Sequence, residues 1–194
     1  MPPADALTAV GPVIAALERL QVPYYLGGSI ASSAYGVARA TLDVDLVASL
    51  AQEHVAPLTE MLSPAFYVDS NMISDAVRRH SYFNVIHLAT MFKVDVFVVK
   101  NRMYDLTALQ RIRRDSLDLE NPDRQFYLAS PEDVVLNKLE WFRLGDEVSE
   151  RQWRDVIGVL AVQGSSLDRE YLHRWAAELG VADLLERACR EAEI

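Results

Sequence analysis

The sequence holds one cysteine, Cys189, in 194 residues. A lone thiol excludes an internal disulfide framework and suits a reducing cytoplasm. No apolar run approaches the length of about 20 residues that a membrane-spanning helix needs, so no membrane association is expected. The first twenty residues, MPPADALTAVGPVIAALERL, carry acids and lack a basic segment ahead of their apolar positions, so no targeting peptide is expected. Positive charge is also scarce. Lys and Arg number 19 against 28 Asp and Glu, and the net charge of −9 speaks against a general nucleic-acid coat, although a local basic patch could still receive an RNA end. No internal repeat or low-complexity segment is visible. Hydrophobic residues, at 51%, are ample for a core, and the length suits one compact domain or one with a helical extension.

The chemistry concentrates in residues 24–47, YYLGGSIASSAYGVARATLDVDLV. Asp43 and Asp45 lie two apart in LDVDLV, whose β-branched and apolar neighbours predict a strand, and residues i and i+2 of a strand share a face. Two like charges so close need a cation or many hydrogen bonds to stay ionised. Mg²⁺ suits such a pair, because it takes hard oxygen ligands and completes its shell with water and phosphate. Upstream, Gly27 and Gly28 follow an apolar strand and precede a short predicted helix with Ser29 as its cap. A strand, a Gly-Gly turn and a helix N-terminus make an anion cradle, since bare backbone lets phosphate approach the N–H groups.

Gly27-Gly28-Ser29 with Gly36, followed by Arg39-x-Thr41-x-Asp43-Val44-Asp45-Leu46, resembles the signature of the DNA polymerase β-like nucleotidyltransferase superfamily. Within it, the pattern is similar to small bacterial nucleotidyltransferases that include the abortive-infection AbiEii-type toxins. The resemblance implies an α+β (mixed α/β) fold in which a mixed sheet flanked by helices is followed by a C-terminal helical bundle. It also implies an NTP as substrate, two Mg²⁺ or Mn²⁺ ions, and Asp43, Asp45 and Asp95 as catalytic carboxylates and metal ligands. Nucleotide binding falls to Gly27, Gly28, Ser29, Arg39 and Lys138, with Lys138 and the later Arg154-Asp155 matching a lysine helix and an Arg-Asp helix of such enzymes. The implied acceptor is RNA, such as a tRNA end, in a toxin–antitoxin setting with a cognate antitoxin partner. Two alternatives stand beside it. One is transfer to a protein side chain or a small molecule such as an antibiotic, which the acidic charge favours slightly. The other is a non-catalytic nucleotide- or partner-binding module, against which three converging carboxylates argue.

The remaining chain reads as support for this stretch. Residues 4–20 and 52–62 predict amphipathic helices and 66–69 a short strand, followed by a polar stretch that ends in Arg78-Arg79-His80. Those cations either solvate a helix end or approach phosphate. Residues 82–100 predict a hairpin turning near 89–92. Its second arm carries Asp95, which is either a third metal ligand or an aspartate paired with Arg39 or Lys93, while His87 reads as a hydrogen-bonded core histidine. A second basic cluster, Arg111, Arg113 and Arg114, precedes two expected edge strands around 121–123. From Ser130-Pro131-Glu132-Asp133 onward the pattern is helical, with a helix over 134–144, another from the capping box at Ser149 to 163, and two more divided by Gly180. The expected division is therefore a nucleotidyltransferase core over 1–129 and a helical region over 130–194. Trp153 and Trp175 read as packing residues, and Trp141 as packing or base-stacking.

Overall fold

The computed structural model describes residues 4–39, 41, 43–117 and 125–194. Its centre is a sheet, among the described residues of seven strands: β1 (Tyr24–Leu26), β2 (Asp43–Ala48), β3 (Phe66–Tyr67), β4 (Tyr82–His87), β5 (Lys93–Val98), β6 (Arg113–Ser116) and β7 (Gln125–Leu128). Their order is β3-β4-β5-β2-β1-β7-β6. β2 runs parallel to β5 and β1 parallel to β7, and the other neighbours are antiparallel, so the sheet is mixed. β6 and β7 flank residues 118–124; of the two strands expected at an edge only β6 lies there, since β7 pairs with β1 as well, and the turn expected around 121–123 lies outside the described residues.

Alternation on β2 decides what each face does. Val44, Leu46 and Ala48 are fully buried, while Asp43, Asp45 and Val47 between them stay partly exposed on a cavity wall. Helix α1 (Ala4–Arg19) packs against β2 and β5, with Ala6, Val10, Val13 and Leu17 buried at helical spacing. Val10, Val13 and Leu17 each contribute about 1.5–3 kcal/mol on burial. Helix α2 (Gly28–Tyr35) follows β1 directly, and α3 (Gln52–Leu62) packs on α1 and α4 (Ser70–Arg79). The polar stretch before His80 is thus mostly helix. Asp69 caps α4 by accepting from the Asn71 N–H at 2.8 Å, and His80 ends it at φ 48°.

After α5 (Met103–Gln110) and the edge strands, the chain is helical: α6 (Pro131–Leu144), α7 (Glu150–Gln163), α8 (Arg169–Glu178) and α9 (Ala182–Glu191). Ser130 caps α6 from outside Pro131, Ser149 accepts from the Gln152 N–H, and Asp168 accepts from the Tyr171 N–H. α2 packs on both α6 and α7, joining the glycine turn to the C-terminal helices. That approach is tight. A Cβ on Gly36 would stand 2.8 Å from the backbone N of Val159. No helix among the described residues is long and apolar enough to cross a membrane.

Candidate active site

Register brings the carboxylates together. β2 and β5 pair so that Asp43 lies opposite Lys93 and Asp45 opposite Asp95, a coincidence that sequence spacing of fifty residues does not reveal. On the other side of β2, the Gly27 N–H donates to the Asp45 carbonyl at 2.9 Å, so the glycine turn stands level with the same residue. Gly28 has φ +50°, and a Cβ there would fall 1.7 Å from Asp45 Oδ2. Only glycine fits this position.

The helix start departs from expectation. Gly27, not Ser29, occupies the cap position of α2, and no side chain caps it. Ser29 lies inside the first turn, where its backbone N–H donates to the Asp45 carboxylate and its Oγ accepts from Arg39 Nη2 at 2.5 Å. The cradle expected for phosphate therefore holds one of the chain's own carboxylates at the positive helix end. Thr41 Oγ1 donates to Asp43 Oδ1 at 3.0 Å and to the Asp43 carbonyl at 2.9 Å, fixing the first acid of the pair.

Cations surround the pair through Asp155, the acid of the Arg154-Asp155 pair that the resemblance singled out without a partner for it. Asp155 of α7 accepts from Arg39 Nε and Nη2 at 2.9 and 2.8 Å, and its Oδ2 lies 2.8 Å from Lys138 Nζ. Burial alone would raise the Asp155 carboxyl, but the Arg39 hydrogen bonds and the Lys138 ammonium overcome it and hold it below its usual range. Lys138 is itself buried, not snorkelled to solvent, and its charge favours ionised Asp45. Arg154, the other half of the Arg154-Asp155 pair, turns to Glu150 on its own helix at 2.9 Å. A contact between residues 39 and 155 leaves no local signature. The sequence shows Asp155 only as the acid of Arg154-Asp155 on α7, with nothing to say that Arg39 and Lys138 are its partners.

Asp45 is pushed up to about 6, first by burial and then by the charges of Asp43 and Asp95. Asp95 does not line the cavity that contains Gly27, Gly28, Ser29, Arg39, Asp43, Asp45 and Lys138. Its Oδ2 is held by Lys93 Nζ at 2.6 Å, so the pairing with Lys93 weighed for this residue is present. Its Oδ1 is buried and has no hydrogen-bond partner. Among the described residues no group of three His, Cys, Asp or Glu side chains is arranged to hold a metal ion. The donor chemistry still fits a divalent cation in part. Asp43 and Asp45 supply two hard oxygens on one face.

The other basic residues are engaged elsewhere. Arg78 and Arg79 both pair with Asp75 on their own helix, Arg111 and Arg113 converge on Glu132, and Arg114 lies 5.4 Å from the Tyr127 ring centre. His87 bonds Thr90 Oγ1 at 2.9 Å, in the core as expected. Trp153 and Trp175 are buried, and Trp141 reaches the cavity.

Solved structures share this architecture. An antigenic nucleotidyltransferase-like protein from Paracoccidioides brasiliensis matches with a TM-score of 0.54 at 18% identity, over 97% of this chain and 94% of that one. The chain has a nucleotidyltransferase fold. The same fold appears in ANT(2'')-Ia in complex with adenylyl-2''-tobramycin, with a TM-score of 0.56, 14% identity and coverage of 89% and 95%. It appears again in the lincomycin-bound lincosamide antibiotic adenylyltransferase LnuA, with a TM-score of 0.52, 13% identity and coverage of 82% and 98%. No protein-family model and no curated protein matches the sequence. The nucleotidyltransferase fold is thus shared with enzymes that the sequence itself scarcely resembles.

Proposed function

We propose that this chain is a metal-dependent nucleotidyltransferase that moves a nucleoside monophosphate from an NTP to the hydroxyl of a small molecule. The observation that carries the reading is the register of β2 and β5, which sets Asp43, Asp45 and Asp95 side by side next to the Gly27-Gly28-Ser29 turn. Asp43 and Asp45 would hold Mg²⁺ or Mn²⁺, with Asp95 completing a second ion. Bound there, the metal lowers the pKa of the acceptor hydroxyl and screens the phosphate charge. Lys138 and Arg39, braced by Asp155, would offset the triphosphate, and the backbone at Gly28 and Ser29 would position it.

A cavity of about 500 Å³ beside these residues supports a small acceptor. So do the fold neighbours, two of which are seen with lincomycin or an adenylylated tobramycin. An RNA acceptor with a cognate antitoxin, the reading that the AbiEii resemblance implies, draws no support from the two basic clusters, whose arginines are paired or stacked within the fold. The test is titration calorimetry with each of the four NTPs, with and without Mg²⁺ or Mn²⁺, on the wild type and on Asp43→Ala/Asp45→Ala. Metal-dependent binding of an NTP that disappears in the double variant is the expected result. Equal binding by the variant, or none by either protein, would sink the catalytic reading.

A further inference from the structure

Three aromatic side chains gather on one wall of the cavity. Tyr82 of β4 sits directly opposite Phe97 of β5 with ring centres 5.5 Å apart, and Trp141 of α6 meets Phe97 edge-on at 6.0 Å. Tyr82 and Trp141 are 58% and 48% exposed, although both line the cavity. Clustered rings left wet at a concave wall mark a surface that a ligand covers. Phe97 lies two residues beyond Asp95 on the strand, hence on the same sheet face and about 7 Å away.

The sheet order assigns this wall to one partner of the reaction. β2, with Asp43 and Asp45, lies between β1 and β5. The glycine turn that would receive the phosphates follows β1 on one side, and the aromatic wall rises from β5 and β4 on the other. Phosphoryl transfer is in line, so the nucleophile enters opposite the departing pyrophosphate. The acceptor therefore comes from the aromatic side.

Charge narrows its chemistry. Two further carboxylates line the cavity, Asp105 and Glu140, and Arg102 engages both: Nε and Nη2 donate to Asp105 at 2.5 and 3.1 Å, and Nη1 and Nη2 donate to Glu140. Neither acid is left to receive an ammonium group. With Lys100 and Arg151 also lining the cavity, these five side chains sum to a formal charge of +1, which disfavours a cationic acceptor.

Resting on the nucleotidyltransferase reading above, we propose that the acceptor is a small uncharged molecule whose flat aromatic ring lies against Tyr82, Phe97 and Trp141 and whose side-chain hydroxyl attacks the α-phosphate. The hydroxyl oxygen forms the new bond to the α-phosphorus, and the bridging P–O bond to the β-phosphate breaks. Pyrophosphate leaves with that electron pair, and the proton passes to solvent.

Two measurements separate this proposal from the reading beneath it. The first is tryptophan fluorescence without NTP or metal, titrated with 1-phenyl-1,3-propanediol and 2-naphthaleneethanol as uncharged aryl alcohols, tobramycin as a polycation, and a short RNA with a free 3′ hydroxyl. Saturable quenching by the aryl alcohols, lost in Trp141→Phe, is expected. The second is transfer of label from an α-³²P NTP to the same compounds by the wild type, Tyr82→Ala and Trp141→Ala. Both substituted side chains are largely exposed, so the variants should fold. They should raise the KM for an aryl alcohol at least tenfold and leave the calorimetric Kd for NTP unchanged. Preferential binding of tobramycin or RNA would overturn the proposal while leaving nucleotidyl transfer intact, as would a tenfold loss of NTP affinity in Tyr82→Ala or Trp141→Ala, which would assign the wall to the nucleobase. Aryl-alcohol binding in a protein that binds no NTP would support the pocket and defeat the enzyme.

Discussion

Asp45 is the residue on which the site's energetics turn. The Gly28 backbone presses against it, its neighbours Asp43 and Asp95 repel it, and burial disfavours its charge, so its carboxyl rises to about 6. A carboxyl whose pKa is higher folded than unfolded costs stability as pH rises from its unfolded value towards 6, because the unfolded chain ionises more readily. Asp45→Asn should therefore stabilise the metal-free protein at pH 7 by about 2 kcal/mol in urea unfolding while abolishing metal binding. A divalent cation reverses the sign for the wild type. Mg²⁺ binding at pH 6 should release a proton, seen as a heat that varies with buffer ionisation enthalpy, and affinity should fall as pH drops below 6. A proton-neutral binding heat would count against Asp45 as a ligand. The identity and sidedness of Asp43 and Asp45 were legible from LDVDLV alone, since alternation on a strand is local. The elevated pKa was not, because the burial that raises it comes from tertiary packing and Asp95 arrives from β5.

At the level of elements, the packing of α2 against α7 aligns the cations with the carboxylates. Gly36 ends α2 against the Val159 backbone, and Gly158 receives Val37, so the chain after α2 runs close enough for Arg39 to reach Asp155. Gly36→Ala would place a methyl group 2.8 Å from a backbone nitrogen that cannot rotate away. We expect a loss of about 1–3 kcal/mol in chemical denaturation, together with weaker NTP binding as Arg39 shifts. Unchanged stability would mean that α7 yields easily. The caps Ser130 and Ser149 and the 82–100 hairpin were readable because each is a short-range pattern. The cap on α2 was misread for the same reason. Ser29 follows two glycines in capping style, but the cap falls two residues earlier, at Gly27, and the serine hydroxyl accepts from Arg39.

Across the whole molecule one hydrophobic core runs without interruption from α1 and the sheet into α6–α9. The expected boundary between 129 and 130 coincides with the change from strand to helix, yet Leu26, Leu128, Leu136 and Leu160 belong to the same buried cluster. The chain should then unfold in a single calorimetric transition with an enthalpy near 0.7 kcal/mol per residue at about 60 °C and a calorimetric to van't Hoff ratio of about one. Two resolved transitions would mean that the helical region over 130–194 unfolds independently of the core on which it packs. By itself the sequence determined the elements, the strand bearing two acids and the glycine turn beside it, because propensity, alternation and capping act over a few residues. Tertiary structure alone decided that Asp95 stands beside Asp45, that Asp155 holds Arg39 and Lys138, and that Tyr82, Phe97 and Trp141 share a wall. Those contacts depend on strand register and helix docking, which join residues tens of positions apart and leave no local pattern in the chain.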